Sequence, residues 1–169
     1  MRTPTAEDEA RALELGKLSR AHLHPWTRTA PTRPEDWQRI LEAAAREDHE
    51  TFLVCRREDD DLVGVYHASQ IFHGNFKSCY LGYYAFAEHA GQGFMRDGLA
   101  LVLDELFGPL RLHRAEANIQ PDNERSLGLV RALGFRKEGF SPRYLKLGGR
   151  WLDHERWAML ADEWPAAAR

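Results

Sequence analysis

The segment from residue 78 to residue 106 constrains the fold most, because its pattern changes from strand to helix across a glycine turn. Residues 78–86 are rich in aromatic side chains, which is typical of a β-strand. Gly91 and Gly93 then flank Gln92, and after them apolar residues recur at helical spacing: Met95, Leu99, Val102, Leu103 and Leu106. The sequence therefore predicts a strand, a glycine turn and a helix in direct succession.

A glycine turn at the start of a helix is suited to binding an anion. Glycine lets a ligand approach the backbone, and the free amides of the first helical turn point at one spot. A pyrophosphate would fit there, although most such turns bind nothing. The two common nucleotide motifs do not match, since no Gly-Lys-Ser/Thr is present and Phe94-Met95-Arg96 lacks the third glycine of a dinucleotide fingerprint.

The remaining pattern predicts a mixed α+β fold. Capping boxes at Thr5 and Thr32 begin two helices, Asn123 caps another, and Gly148-Gly149 joins a closing hairpin. Strands are predicted at residues 51–56, 62–69, 78–86, 114–119, 135–147 and 150–160. This order predicts one sheet with helices on both faces, in a single domain spanning residues 1–169.

Composition excludes several classes of protein. The net charge of -3 gives no reason to expect a nucleic-acid partner. No run of about 20 apolar residues occurs, so we expect no membrane span, and the charged N-terminus predicts a cytoplasmic protein. Cys55 and Cys79 are far apart, and neither they nor the histidines show metal-ligand spacing, so we expect no disulfide and no metal.

Several short motifs, in this order and spacing, resemble the GNAT family of acetyltransferases. Within the family the likeness is to the RimJ/RimL-type ribosomal-protein alanine N-acetyltransferases. The motifs are His24-Pro-Trp26, Cys79-Tyr-Leu-Gly-Tyr83, Gly91-Gln-Gly-Phe-Met95, His113-Arg114, Asn123-x-x-Ser126, Leu133-Gly-Phe-x-Lys-Glu-Gly139 and Gly149-Arg-Trp-x-Asp-His154. The resemblance implies a central, mostly antiparallel twisted sheet of six or seven strands, splayed at the cofactor site. Only residues 1–4 precede the first helix, so we expect the family's first strand to be short or missing.

The resemblance also implies acetyl-coenzyme A as co-substrate, without a metal. By position it assigns the pyrophosphate to the turn and helix start, at Gly91, Gln92, Gly93, Phe94, Met95 and Arg96. It places the pantetheine beside a splayed strand that includes Tyr84, Ala85 and Phe86, with Asn123 and Ser126 at the sulfur end. The tyrosine acid of many relatives is replaced by Val130, so that position supplies no acid.

Strand alternation places Glu116 and Asn118 on one side of their strand, and we predict Glu116 as the general base. A salt-bridged or edge carboxylate is the alternative for Glu116. Ser126 protonates or steadies the leaving thiolate, unless it is simply a first-turn helix residue. A backbone amide near Ala85 is predicted to stabilise the oxyanion.

We predict that the acceptor contacts Trp26, His73, Tyr83 and Asn118. The resemblance favours the N-terminal α-amine of a protein such as a ribosomal protein, beginning with Ala or Ser. A small amine such as an antibiotic or a polyamine is one alternative, and an inactive acyl-coenzyme A sensor is another. The sequence leaves a monomer and a homodimer equally open.

Overall fold

A computed structural model describes residues 1–165 of the chain. Within them the central sheet has six strands in the order β1-β2-β3-β4-β6-β5. The strands are β1 (His49–Cys55), β2 (Leu62–Phe72), β3 (Ser78–Ala85), β4 (Arg114–Ile119), β5 (Arg136–Leu147) and β6 (Arg150–Leu160). The helices are α1 (Glu9–Leu18), α2 (Arg20–Leu23), α3 (Pro34–Ala44), α4 (Phe94–Phe107) and α5 (Glu124–Ala132), with 3-10 turns at Ala6–Asp8 and Ala87–His89.

Neighbouring strands pair antiparallel except β3 and β4, which are parallel. Their pairing runs only from Ser78 opposite Arg114 to Leu81 opposite Ala117. Beyond this point β3 continues to Ala85 and β4 to Ile119 without pairing to each other. The predicted mixed fold, with a sheet that splays in its middle, is confirmed.

Helices cover both faces of the sheet and give the domain two cores. On one face α4 and α5 bury Leu99, Val102 and Leu127 against the sheet. On the other face α1 and α3 bury Leu15 and Trp37 in a separate cluster. The amphipathic spacing seen in the sequence sets this arrangement, because each helix turns one apolar stripe toward the sheet.

The N-terminal strand expected for the family is reduced to one bridge. Arg2 pairs with Leu53 of β1 through two backbone hydrogen bonds of 3.1 and 2.7 Å. The His24–Pro25 peptide bond is cis, and it directly precedes Trp26, which lines the cavity described below. Among residues 1–165, no helix is both long and apolar enough to cross a membrane.

Candidate active site

The gap between β3 and β4 opens into a cavity of about 860 Å³. This volume lies in the range of small-molecule and cofactor sites. Residues from both faces of the sheet line it: Tyr83 and Ser126 on the side of α5, and His67 and Tyr84 on the side of α1. A ligand in the gap therefore reaches groups on both faces.

The glycine turn between β3 and α4 presents five consecutive backbone amides. Gly91 and Gly93 have φ values of 78° and 88°, which residues with a Cβ rarely adopt. The N–H groups from Gly91 to Met95 donate to no acceptor in the described part of the chain, whereas the next two amides bond the Gly93 carbonyl. Five free donors at a helix N-terminus form a site for an anion.

The start of α4 is held firmly on the sheet. The Tyr66 hydroxyl donates to the Met95 carbonyl at 2.7 Å. At Gly98 a Cβ would come within 2.6 Å of Val54, so glycine is needed for this close approach. Arg96 lies exposed on the first turn of α4, lines the cavity and makes no ion pair with the described residues. Its guanidinium adds positive charge beside the free amides.

A hydroxyl pair joins the splayed part of β3 to α5. The Tyr83 and Ser126 hydroxyl oxygens are 2.6 Å apart. Burial raises the pKa of Tyr83 to about 12, although the bond to Ser126 lowers it. Both hydroxyls are therefore protonated at neutral pH. Asn123 accepts from the Ser126 amide at 3.3 Å and caps α5, as its position predicted.

The opposite face of the gap carries two polar oxygens that are buried without a hydrogen-bond partner among residues 1–165. They are the Tyr84 hydroxyl and the Asn118 side-chain oxygen. Gly82, the first residue of β3 beyond the pairing, leaves open space above the strand. Buried polar groups normally have partners, so two unpaired oxygens beside a cavity indicate a site for a donor.

Comparison with known proteins decides the family. The model of the Acetyltransferase (GNAT) domain matches residues 1–136. The chain belongs to the GNAT acetyltransferase family. A relative from Escherichia coli (strain K12), the ribosomal protein uS5-alanine N-acetyltransferase, is 32% identical over 157 residues, covering 86% of this chain and 79% of that protein.

Solved structures agree with this GNAT assignment. Mycobacterium smegmatis RimJ in complex with CoA-disulfide has a TM-score of 0.87 and 31% identity, with 97% of this chain and 82% of that chain covered. Vibrio cholerae spermidine N-acetyltransferase in complex with CoA and spermine has a TM-score of 0.79 at 20% identity, with 96% and 95% covered. At that identity the second likeness shows the shared fold alone. This chain is thus an acetyltransferase of a family that uses acetyl-coenzyme A.

Most positions that the sequence assigned to the GNAT cofactor line the cavity. These are Tyr84, Ala85, Gly91, Gly93, Phe94, Met95, Arg96, Asn123 and Ser126. Two do not. Phe86 is fully buried in the α1/α3 core, and its amide donates to the Val63 carbonyl. The Gln92 side chain turns back and donates to the Glu88 carbonyl at 3.3 Å. Any contact from Gln92 to a ligand therefore comes from its backbone amide.

The structure corrects the placement of Glu116. Glu116 and Asn118 share a face of β4 as predicted, but Glu116 lies in the paired part of the strand, opposite Tyr80 and Ala158. Its carboxylate accepts from the Arg114 guanidinium at 2.8 Å, and it does not line the cavity. Glu116 is therefore a salt-bridged carboxylate, which was the alternative interpretation of this residue. Asn118 is the first residue past the pairing, and it does line the cavity.

His73 is also corrected as an acceptor contact. It lies exposed in the turn before β3, whereas the cavity lies beside the other end of that strand. Seven residue steps separate Ser78 from Ala85, which is roughly 23 Å in a strand. The three other predicted acceptor contacts, Trp26, Tyr83 and Asn118, do line the cavity.

Several cavity residues were not assigned a role from the sequence. They include His22, His67, His89, His154, Arg125, Leu145 and Leu147. His154 is the last residue of a motif that supported the family resemblance, and this motif was the one sequence feature that could have marked it as a site residue. His67, Leu145 and Leu147 lie on strands, whereas His22, His89 and Arg125 lie on α2, the second 3-10 turn and α5. They come together only through the tertiary fold, which no local pattern reveals.

Three potential metal ligands, Asp61, Glu88 and His89, lie close together before the glycine turn. The Arg11 guanidinium binds Asp61 at 2.7 and 2.8 Å and Glu88 at 3.2 Å, so it already supplies the positive charge. His89 donates from Nε2 to Asp61 at 2.8 Å. This network fixes the chain that leads into the turn.

Proposed function

We propose that this chain acetylates the N-terminal α-amine of a protein that begins with Ala or Ser, using acetyl-coenzyme A. The observation that carries the choice of acceptor is the charge of the cavity. Among the described residues that line it there is no Asp and no Glu. Its ionisable groups are histidines, tyrosines, Arg96 and Arg125.

A cavity without carboxylates suits a peptide terminus better than a polyamine. A polyamine that reacts at one nitrogen still carries at least one other ammonium, and removing that charge from water requires a counter-charge. A peptide has only its α-amine at the reacting end, with a pKa near 8 that leaves part of it neutral at pH 7. The similarity to the E. coli uS5-alanine enzyme supports the same choice.

The side of the gap that carries the glycine turn and the Tyr83–Ser126 pair, here called the cofactor face, fits the coenzyme. The free amides from Gly91 to Met95, together with Arg96, would hold the pyrophosphate. The β3 segment from Gly82 to Ala85, which lacks a β4 partner, leaves backbone groups for an extended pantetheine. The Tyr83–Ser126 pair would then hold a proton close to the leaving thiolate.

The side of the gap that carries Tyr84 and Asn118, here called the acceptor face, suits a small first residue. Trp26, Tyr84 and Asn118 surround the point where β3 and β4 separate, and an amine must approach the thioester between them. A pocket of this kind discriminates by only about 1–3 kcal/mol per methylene. We therefore expect Ala and Ser to react fastest, with measurable turnover of Thr and Val.

The test is release of free thiol from acetyl-coenzyme A with peptides that differ only in the first residue, measured beside spermidine and an aminoglycoside. We expect a higher kcat/KM for the Ala and Ser peptides than for either polycation. Faster turnover of spermidine or the aminoglycoside than of every peptide would contradict the N-terminal acceptor. Binding of acetyl-coenzyme A without thiol release in the presence of any of these amines would point to an inactive acyl-coenzyme A module.

A further inference from the structure

Attack by an amine needs a group that takes its proton, and the cavity offers no carboxylate for this. The described lining holds no Asp or Glu, and Glu116 lies outside it, bound to Arg114. Four histidines remain at the cavity: His22, His67, His89 and His154. A neutral histidine accepts a proton only through a ring nitrogen whose lone pair is free.

A hydrogen bond excludes His22, and its place at the cavity excludes His89. The Arg125 guanidinium, which can only donate, lies 3.0 Å from His22 Nδ1 and therefore uses that lone pair. His89 belongs to the Asp61 network beside the glycine turn, on the side of the pyrophosphate site. Its ring packs edge-on against Phe94 at the start of α4. His22 therefore has no free lone pair when neutral, and His89 lies beside the glycine turn rather than beside Tyr84 and Asn118.

His67 is placed on the acceptor face but is a poor proton acceptor. It lies opposite Gly82, and its Nδ1 is 3.1 Å from the Thr51 hydroxyl. Burial lowers its pKa to about 4, with a further lowering from His49. Since an α-amine has a pKa near 8, transfer of a proton to His67 is strongly uphill.

His154 meets the requirement. It lies on β6 and is 2% exposed, and its Nδ1 is 3.0 Å from the Leu152 carbonyl oxygen. A carbonyl can only accept, so Nδ1 carries the hydrogen and Nε2 keeps its lone pair when the ring is neutral. Burial lowers the pKa of His154, while the Leu152 bond and Asp153 raise it, so the ring is neutral at pH 7.

Strand pairing brings His154 to the same face of the sheet as Asn118. Asn118 of β4 lies opposite Arg156 of β6, and His154 is two residues from Arg156. Side chains two apart on a strand point the same way. The His154 ring packs against Tyr144 of β5 at 5.9 Å between ring centroids. The titratable groups that act on the His154 ring are thus Tyr144, which packs against it, and Asp153, which precedes it in β6.

We propose that His154 is the general base of the acetyl transfer, accepting the amine proton at Nε2 directly. The Asn118 oxygen and the Tyr84 hydroxyl accept hydrogen bonds from the amine and orient it. As the N–C bond forms and the C–S bond breaks, His154 takes one proton from the amine nitrogen. The Tyr83–Ser126 pair gives one proton to the thiolate, and solvent returns that proton from His154 to the pair.

The proposal deepens the proposed function but holds for any amine acceptor at this site. Its test is His154→Asn, because the asparagine amide can still donate to the Leu152 carbonyl while Nε2 is lost. We expect kcat with an Ala peptide to fall on the order of 10²-fold near pH 7. The loss should shrink at alkaline pH, where hydroxide can take the proton of the attacking amine in place of His154, and affinity for coenzyme A should be unchanged.

His154→Gln, which keeps nearly the same length, serves as a second variant if His154→Asn loses coenzyme A binding through misfolding. Unchanged kcat near pH 7 in a variant that binds coenzyme A would overturn the proposal. So would a loss that is equal at every pH, since that would indicate a positioning role. A loss found in His67→Gln or Glu116→Gln but absent from both His154 variants would move the base to that residue. Wild-type activity in the same assays reports on the proposed function separately.

Discussion

Tyr83 and Ser126 share a hydrogen bond of 2.6 Å, and we propose that they act together on one proton. The family resemblance sets Val130 where many relatives have a tyrosine acid, so we propose this pair, which lines the cavity, as the source of the proton at the sulfur end. The Tyr83 pKa, raised to about 12 by burial, keeps the pair protonated over the working pH range. A thiolate with a pKa near 8.5 needs only modest help to leave.

We expect Tyr83→Phe and Ser126→Ala each to lower kcat by about 10-fold, less than the usual loss of a general acid. Because both residues serve the same proton, the double variant should be no slower than the worse single variant. Steady-state kcat, with the coenzyme A dissociation constant as the control for folding, measures this. Losses that multiply in the double variant would show that the two hydroxyls act independently.

At the residue scale, sequence reasoning succeeded where a backbone requirement marked the position. Gly91, Gly93 and Asn123 were predicted because a positive φ or a helix cap demands their residue types. Glu116 lies outside the cavity because a β4 residue reaches it only beyond the end of the pairing of β3 and β4, one register step before Asn118. No local pattern marks the end of a strand pairing.

At the scale of elements, the turn from Gly91 to Gly93 and the start of α4 form one anion-binding segment. Tyr66 and Gly98 hold the helix against the sheet, and the turn then presents its free amides at a fixed place. The strand, turn and helix were predicted because the aromatic-rich strand pattern changes to apolar residues at helical spacing after Gly91 and Gly93. The splay of β3 from β4 came only from the family resemblance, since the sequence of each strand alone favours continued pairing.

Gly93→Asp tests this anion-binding segment, since the substitution puts bulk and negative charge where the pyrophosphate would bind. At a coenzyme concentration of 100 Kd, acetyl-coenzyme A should stabilise the wild type by about 2.7 kcal/mol, which raises Tm by roughly 5–10 °C. We expect the variant to lose this rise. Gly74→Asp is the matched control, because Gly74 also has positive φ and open space but lies in the turn before β3. A full Tm rise in Gly93→Asp would move the coenzyme elsewhere.

At the scale of the whole molecule, the splayed sheet separates two chemical environments. One face offers amides, Arg96 and a hydroxyl pair, and the other offers neutral oxygens and histidines. The β5–β6 hairpin closes the acceptor side through Leu145 and Leu147. The cavity is lined by six separate stretches of the chain, so its lack of carboxylates could not be predicted from any one motif.

Leu147→Glu tests whether that lack of carboxylates selects against polycations. The added carboxylate would give a second ammonium a partner at the cavity, so we expect the kcat/KM for spermidine to rise while that for an Ala peptide does not. Leu147→Gln has a similar shape without the charge and should leave spermidine turnover as in the wild type. An equal response of both variants would show that shape, and not charge, limits polyamine turnover.

The central claim is that the acetyl group goes to a protein's α-amine. The direct measurement is tandem mass spectrometry of a peptide that begins with Ala and carries an internal lysine, after incubation with acetyl-coenzyme A. We predict acetyl on the N-terminal nitrogen and an unmodified lysine side chain. Acetyl found on the lysine, with the α-amine free, would contradict the account.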